Sequence, residues 1–186
     1  MNIKPRNSLQ PLNQTMFSFF KRKPKKKRIA CGDTTAPNTT ISYDPDLVDL
    51  LKDDHQSLLM HYMRIEKKAK EQRFREVCNE LAQFKSLFHQ HIMLENVKLY
   101  VYLNRTISKD TDNCETIKTM RREMRHIGKA VNQFIDRYNI WPWNDAMERD
   151  FMPDLQQIGS ALVERIKTEE EHLYPLYNPP VQIDVS

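Results

Sequence analysis

Apolar residues recur at alternating steps of three and four along most of the chain after residue 44, which is the period of a helix that buries one face. Over residues 46–70 this stripe comprises Leu47, Leu51, His55, Leu58, Tyr62, Ile65 and Ala69. Over residues 74–103 it comprises Val77, Leu81, Phe84, Phe88, His91, Glu95 and Tyr102. The two stripes predict two amphipathic helices joined by a turn near Glu71.

Two further stripes follow a polar connection at residues 104–111. The third comprises Ile117, Met120, Met124, Ile127, Val131, Phe134 and Tyr138 and breaks at Trp141-Pro142-Trp143. The fourth, over residues 146–174, comprises Leu155, Ile158, Leu162, Ile166, Glu169 and Leu173. Asp44-Pro45 and Asp112-x-x-Glu115 resemble helix starts, the second as a capping box. Four helices with short connections predict an all-α fold, an antiparallel up-down-up-down four-helix bundle.

The composition agrees with long helices, because the 186 residues include only three glycines and 29% are charged. The chain is long enough for one ordinary domain and a tail. We expect a basic N-terminal arm and linker over residues 1–43, the bundle over residues 44–178 and a short C-terminal tail over residues 179–186.

The formal net charge of +4 is unevenly distributed. Residues 1–43 carry nine Lys or Arg against one Asp, a net +8, so the remaining residues carry a net −4. Like-charge repulsion and low apolar content predict a disordered arm. Residues 16–28 combine three phenylalanines with seven cations, which suits a polyanion or an anionic membrane surface. A solvated arm is the alternative, and Met1 and Met16 are both candidate start residues.

The three cysteines, Cys31, Cys78 and Cys114, form no CxxC pair, so neither a disulfide framework nor a thiolate zinc site is indicated. No apolar run approaches the roughly 18 residues of a membrane span, and no secretory signal is visible. We therefore expect a cytoplasmic protein, with peripheral attachment to a membrane through residues 16–28 as an open alternative.

His55, His91 and Glu95 are polar residues inside otherwise apolar stripes. His91 and Glu95 lie one helical turn apart on one face, and antiparallel pairing brings His55 near the level of His91. A buried carboxylate is rare unless it is paired or bound to a metal. We therefore predict that these residues converge as metal ligands. Glu169 shares the inward phase of the fourth stripe, and Glu123 borders the third.

Simpler interpretations exist for each of these residues. A histidine on an apolar face is more often a hydrogen-bonded core residue than a ligand, and three successive glutamates such as 169–171 usually form a solvated face. Glu170 lies close enough in phase to Glu169 that a small rotation would exchange the two.

The chain resembles the hemerythrin-like, HHE cation-binding domains over roughly residues 44–176. The resemblance rests on Asp54-His55-Gln56, on His91-x-x-x-Glu95 with Asn96 and Leu99-Tyr100, and on Glu169-Glu170-x-x-Leu173-Tyr174-Pro175. It implies an antiparallel four-helix bundle that binds non-haem iron, as a mono- or dinuclear site, for oxygen binding, sensing or stress responses.

Two positions depart from that family pattern. The pattern has a histidine where this chain has Met124, and another where it has Arg165. With fewer imidazoles, a diiron site that binds oxygen reversibly is not expected, whereas a mononuclear or carboxylate-rich site is. The alternative is a former metal site in which Arg165 forms a buried salt bridge with Glu95 or Glu169.

A fainter resemblance is to the regulator-of-sigma-D (Rsd/AlgQ) family, metal-free bundles that bind the primary sigma factor. It rests on Leu47-Val48-Asp49, on Leu58-Leu59-x-x-Tyr62 and on Ile158-Gly159-x-Ala161-Leu162-x-x-Arg165. It implies a protein-interaction module with a sigma factor as partner. No nucleophile with its base, phosphate loop or dinucleotide fingerprint is present. We therefore expect no enzyme and no small organic substrate, but a regulatory or sensing protein.

Overall fold

The computed structural model describes residues 41–107 and 111–179, without the side chains of Thr111 and Asp112. Its α-helices are α1 (Leu47–Lys70), α2 (Phe74–Leu94), α3 (Tyr100–Thr106), α4 (Thr111–Tyr138) and α5 (Asp145–Thr168). A π-helical turn, Glu95–Leu99, joins α2 to α3, so the two form one rod. A second π turn, Glu169–Leu173, and a 3-10 turn, Tyr174–Leu176, extend α5. The all-α four-helix prediction is confirmed.

The helices pack in a closed ring, in which α1 contacts α2, α2 contacts α4, α4 contacts α5 and α5 contacts α1. The connection between α1 and α2 is only residues 71–73, which forces the two helices to run antiparallel. Its tightest point is Gln72, whose φ of 56° is in the left-handed region. This turn lies where the sequence predicts it, and it sets His55 opposite His91.

The start of α1 differs from the prediction. The helix begins at Leu47, its N-cap is Asp46, and no side chain caps it. Asp44 instead stabilises the preceding turn, because its carboxylate accepts the backbone N–H of Asp46 and its carbonyl accepts that of Leu47, both at 3.2 Å. The capping box predicted at residues 112–115 lies partly outside the described side chains.

Two apolar cores fill the bundle, one above the other. The larger core includes Leu58, Phe88, Met124 and Leu162, and the smaller includes Leu51, Leu99, Met120 and Leu173. On α1, on the rod of α2 and α3, and on α5 with its extension, the switch from one core to the other falls at the level of the buried polar residues, whereas on α4 it falls between Met120 and Met124. The bundle therefore encloses a polar layer between two apolar seals.

The smaller core extends beyond the N-terminus of α1. Tyr43 stacks on Tyr177 with ring centroids 4.9 Å apart, and the backbone N–H of Asp44 donates to the Tyr177 hydroxyl at 2.8 Å. Ile41 also packs against this core. The packed part of the chain thus includes the last residues of the predicted linker, whereas residues 1–40 lie outside the described residues.

Among the helices of the described residues, none is long and apolar enough to cross a membrane.

Candidate metal centre

Five buried polar side chains form the layer between the two apolar cores: His55, His91, Glu95, Arg165 and Glu169. Each is at most 4% exposed. Polar groups so far from water must be satisfied by one another or by a bound group, because an unpaired buried charge is costly. Their mutual contacts therefore decide what the layer can do.

Three of these residues converge in the way that a metal ion requires. One ligand atom each from His55, His91 and Glu169 lies within 4.8 Å of the other two. His55 Nε2 is 3.1 Å from Glu169 Oε2, and the two imidazole rings are 4.7 Å apart between centroids. The three residues come from α1, α2 and the π turn after α5, so only the folded bundle assembles them.

A carboxylate lies near the Nδ1 atom of each histidine. Glu170 Oε1 lies within hydrogen-bond distance of His55 Nδ1, at 3.0 Å, whereas Asp54 Oδ2 lies 3.5 Å from His91 Nδ1, which has no hydrogen-bond partner among the described residues. Such carboxylates fix the tautomer and the orientation of histidine ligands in metal sites. Helical phase predicts Glu170 only as a substitute for Glu169, and it predicts no role for Asp54. The sequence signal for these two carboxylates is their position in the chain, since Glu170 follows Glu169 and Asp54 precedes His55.

Glu95 completes the layer with an incompletely bonded carboxyl group. Its Oε1 accepts a hydrogen bond from the Tyr174 hydroxyl at 3.2 Å, and its Oε2 has no partner. The Tyr174 hydroxyl is also 3.2 Å from His55 Nε2, so it bridges Glu95 to the histidine. Burial and the charge of Glu169, only partly offset by Arg165, raise the pKa of Glu95 to about 8. This carboxyl group holds either a proton or a cation.

Arg165 points into the layer. Its Nε donates to Glu169 Oε1 at 2.5 Å, and its Nη2 donates to the Tyr100 hydroxyl at 2.9 Å. Nη1 has no hydrogen-bond partner, and its nearest carboxylate is Glu123 at 4.0 Å. The guanidinium thus pairs with Glu169, one of the two partners expected for it, and leaves Glu95 to Tyr174.

At the level of the polar layer, α4 carries Glu123 and Met124. The Glu123 side chain is 56% exposed, and its carboxylate approaches Arg165 without joining the group of His55, His91 and Glu169. Met124 occupies the inward position and belongs to the larger apolar core. Among the described residues, α4 therefore adds no imidazole to the layer.

The charges of the layer balance through His55. Burial alone would lower the pKa of His55, but hydrogen bonds to Glu169 and Glu170 outweigh it and raise the pKa to about 9. Burial would raise the pKa of Glu169, but His55 and Arg165 hold it below its usual range. Burial lowers the pKa of His91, whose imidazole is neutral. Two cations, His55 and Arg165, thus surround ionised Glu169 while Glu95 keeps a proton.

These donors suit one divalent cation. Two imidazoles and a carboxylate are the ligand set typical of mononuclear non-haem iron. The unpartnered Glu95 Oε2 and the neutral His91 imidazole are groups that a cation would satisfy. A second ion would need ligands where the chain has Met124 and Arg165. The residues present therefore fit one ion and do not fit the histidine-rich dinuclear pattern.

Both carboxylates that face the layer begin a π turn, Glu95 in Glu95–Leu99 and Glu169 in Glu169–Leu173. A π turn widens the helix by one residue per turn and is frequently found at functional sites. Each widened turn ends on a leucine of the smaller core, Leu99 or Leu173. The turns therefore keep a carboxylate in the polar layer and the next apolar residue in the core. The three-four stripes contain no signal for them.

Comparison with protein families identifies the helical part of the chain. The family model of the hemerythrin HHE cation-binding domain matches residues 46–177. No curated protein and no solved structure matches the chain significantly. The matched range spans well over half of the chain and includes all the helices and every residue of the polar layer. The chain belongs to the hemerythrin HHE cation-binding domain family.

Proposed function

We propose that this bundle binds a single non-haem iron ion between its two apolar cores and that occupancy of the site has a sensing or regulatory role. The observation that carries the proposal is the convergence of His55, His91 and Glu169, three buried ligands from three helical rods, within 4.8 Å. Glu95 is the fourth ligand, because its Oε2 is buried without a partner.

Some residues of the chain would bind the ion, and others would orient those ligands. His55 offers Nε2 while Glu170 holds Nδ1, and Asp54 lies 3.5 Å from the ring of His91. His55 and Glu95 release their protons as the ion enters, because ligands must bind in the deprotonated state. Bound iron would supply a Lewis-acidic, redox-active centre for a small ligand.

The enclosure of the layer supports sensing over turnover of an organic substrate. His55, Glu95 and Glu169 are no more than 2% exposed, and apolar cores seal both sides. Such a site admits ions, electrons, protons and diatomic molecules more readily than metabolites. A change in metal or ligand occupancy would act on the stability of the whole bundle, because bound metal stabilises only the folded state.

The test is metal analysis of protein purified without an affinity tag. We expect one iron per chain in the wild type. His91→Ala should lose the iron and, with it, the thermal stabilisation that bound metal gives. His126→Ala is the matched control, because His126 is an exposed histidine on α4. Unchanged iron content in His91→Ala would refute the ligand assignment.

A second pair of variants tests the role of the carboxylate behind His55. We expect Glu170→Gln to weaken iron binding by about 10- to 100-fold, the range found when such carboxylates are removed. Glu171→Gln removes a charge from an exposed side chain in the same turn and should leave affinity unchanged. Equal effects of the two variants would mean that Glu170 acts only through its charge.

The second candidate function is a metal-free interaction module of the anti-sigma type. The observation in its favour is that Arg165 lies in the layer and already pairs with Glu169. On this hypothesis the bundle exposes a surface to a sigma factor and its polar layer is purely structural. Protein without bound iron that forms a complex with the purified primary sigma factor would favour this function over the first.

A further inference from the structure

A cleft of about 250 Å³ opens between α2 and α4, outside the polar layer. Its floor is apolar and comprises Phe88, Ile92 and Met124. Gly128 helps to keep it open, because a Cβ at this position would meet only Ile92 Cδ1, at 3.9 Å. A longer side chain at residue 128 would therefore project into free space and fill the cleft.

Three cations surround this floor. Arg121, Arg125 and Lys129 stand at four-residue steps on one face of α4, and all three are exposed. Across residues 41–107 and 111–179, none of them forms an ion pair with an acidic side chain. The Arg121 guanidinium instead lies over the Tyr100 ring, 5.7 Å from its centroid. The cleft thus concentrates positive charge without compensation.

The neighbouring polar groups between the same two helices are paired. Lys85 Nζ donates to Asp136 Oδ1, and His89 Nε2 lies beside Asn132 Oδ1, both at 2.7 Å. Between the two helices Lys85 is therefore neutralised by Asp136, whereas the three cations at the cleft form no ion pair among the described residues. This contrast leaves the cations of the cleft available to a partner other than the described residues.

We propose that the cleft between α2 and α4 binds a phosphate monoester that carries a small apolar body. Arginine forms bidentate hydrogen bonds with phosphate, and three cations match the charge of a monoester better than the single charge of a carboxylate. The apolar floor provides a surface for the body of the ligand. The volume is below the roughly 300 Å³ at which pockets for drug-sized ligands begin, so about one ring fits.

This site is separate from the metal centre. Its polar lining residues are His89, Asn96, Arg121, Arg125, Lys129 and Asn132, and none belongs to the buried polar layer. Ligand binding in the cleft therefore requires no metal, and it can be tested whether or not iron is bound.

The experiment titrates the full chain with phenyl phosphate by calorimetry and maps the site from backbone amide shifts in nuclear magnetic resonance spectra. We expect saturable binding, with shifts confined to residues 88–96 and 121–132. Arg125→Ala should weaken binding at least about tenfold, the size of one charge-assisted hydrogen bond. Arg122→Ala removes the same charge from an exposed neighbour that does not line the cleft, and it should bind as the wild type does.

A steric variant separates the cleft from diffuse attraction. Gly128→Leu keeps every charge and fills the cleft, so it should abolish binding of phenyl phosphate while circular dichroism stays unchanged. Equal losses in Arg122→Ala and Arg125→Ala, shifts confined to residues 1–40, or no saturation by about 10 mM ligand would overturn the proposal. Equally tight binding of benzoate or inorganic phosphate would refute the assigned ligand class, and displacement by duplex DNA from residues 121–132 would indicate a nucleic-acid surface instead.

Discussion

Arg165 and His55 are the two residues whose positive charge keeps buried Glu169 ionised. Arg165 donates a hydrogen bond directly to Glu169. A bound metal ion would instead replace the proton on His55, beside the same carboxylate. The two candidate functions therefore differ in how much the fold depends on the arginine.

We expect Arg165→Ala to lower the free energy of unfolding of metal-free protein by about 3–5 kcal/mol, because buried Glu169 loses one of its two cationic partners and keeps only His55. Urea denaturation measures this loss. Lys167→Ala, at an exposed position on the same helix, should change stability by no more than about 0.5 kcal/mol. A loss below about 1 kcal/mol in Arg165→Ala would show that the layer does not need the guanidinium.

The pH dependence of metal-free protein follows from the same layer. The pKa of His55 is raised from 6.5 to about 9, so its contribution is complete below pH 6.5 and is lost as the pH rises through 9. The pKa of Glu95 is raised from 4.5 to about 8. Burial of this carboxyl group therefore lowers the free energy of unfolding progressively as the pH rises from 4.5 to about 8. Both changes lower stability at alkaline pH.

We expect the free energy of unfolding of metal-free protein to fall by up to about 3 kcal/mol for His55 alone between pH 6.5 and 9. Urea denaturation at several pH values measures the slope. His55→Gln should reduce the slope to the part that Glu95 contributes, because glutamine does not titrate. Stability that is constant or rises over this interval in the wild type would contradict the assigned charges. Below pH 4.5 stability should fall instead, since Glu169 has a lowered pKa.

At the scale of the elements, two helix-interior glycines have opposite environments. A Cβ on Gly159 of α5 would lie 2.4 Å from the buried Tyr62 ring of α1, whereas a Cβ on Gly128 of α4 would make only an ordinary contact. The Tyr62 hydroxyl donates to the Leu155 carbonyl at 3.3 Å, which holds the ring against α5. Gly159 thus sets how closely α1 and α5 approach.

We expect Gly159→Ala to destabilise the protein by about 1–3 kcal/mol, because the Tyr62 ring must shift in a packed core. Gly128→Ala should stabilise it by about 0.5–1 kcal/mol, since alanine is the better helix former and the space is free. Thermal melts of the two variants provide the comparison. The same sign of effect at both positions would mean that helix propensity, and not packing between α1 and α5, governs Gly159.

At the scale of the whole molecule, charge and packing divide the chain at different residues. The cations of the N-terminal region end at Arg28, whereas among the described residues packing begins with Ile41 and Tyr43 on the smaller core. The seven cations of residues 16–28 precede the described residues in the sequence. Binding to polyanions and stability of the bundle should therefore be separable by truncation.

We expect a protein truncated to begin at Thr40 to melt at the temperature of the full chain, while one that begins at Asp44 melts lower because it lacks Ile41 and the stacking of Tyr43 on Tyr177. Only the full chain should bind anionic vesicles or duplex DNA, with affinity that falls steeply as salt rises. Equal binding by the full chain and the Thr40 truncation would show that residues 16–28 form a solvated arm.

The periodic stripes determined the helices, their order and the turn at residue 71, because burial of one helical face is a local and repeating requirement. They also placed His55, His91, Glu95 and Glu169 inward, since a polar residue in an apolar stripe shares the burial of its neighbours. Both predictions depend only on the spacing of residues along one helix, which the sequence contains in full.

Tertiary structure alone decided how the inward residues pair. The phase of a helix does not specify rotamers, so only the packed bundle shows that Arg165 binds Glu169, that Tyr174 binds Glu95 and that Glu170 supports His55. The π turns at Glu95 and Glu169 likewise depend on keeping a carboxylate in one layer and a leucine in the next. The cleft at Gly128 arises where α2 and α4 part. Each is a relation between helices, and a single stripe carries no information about its neighbour.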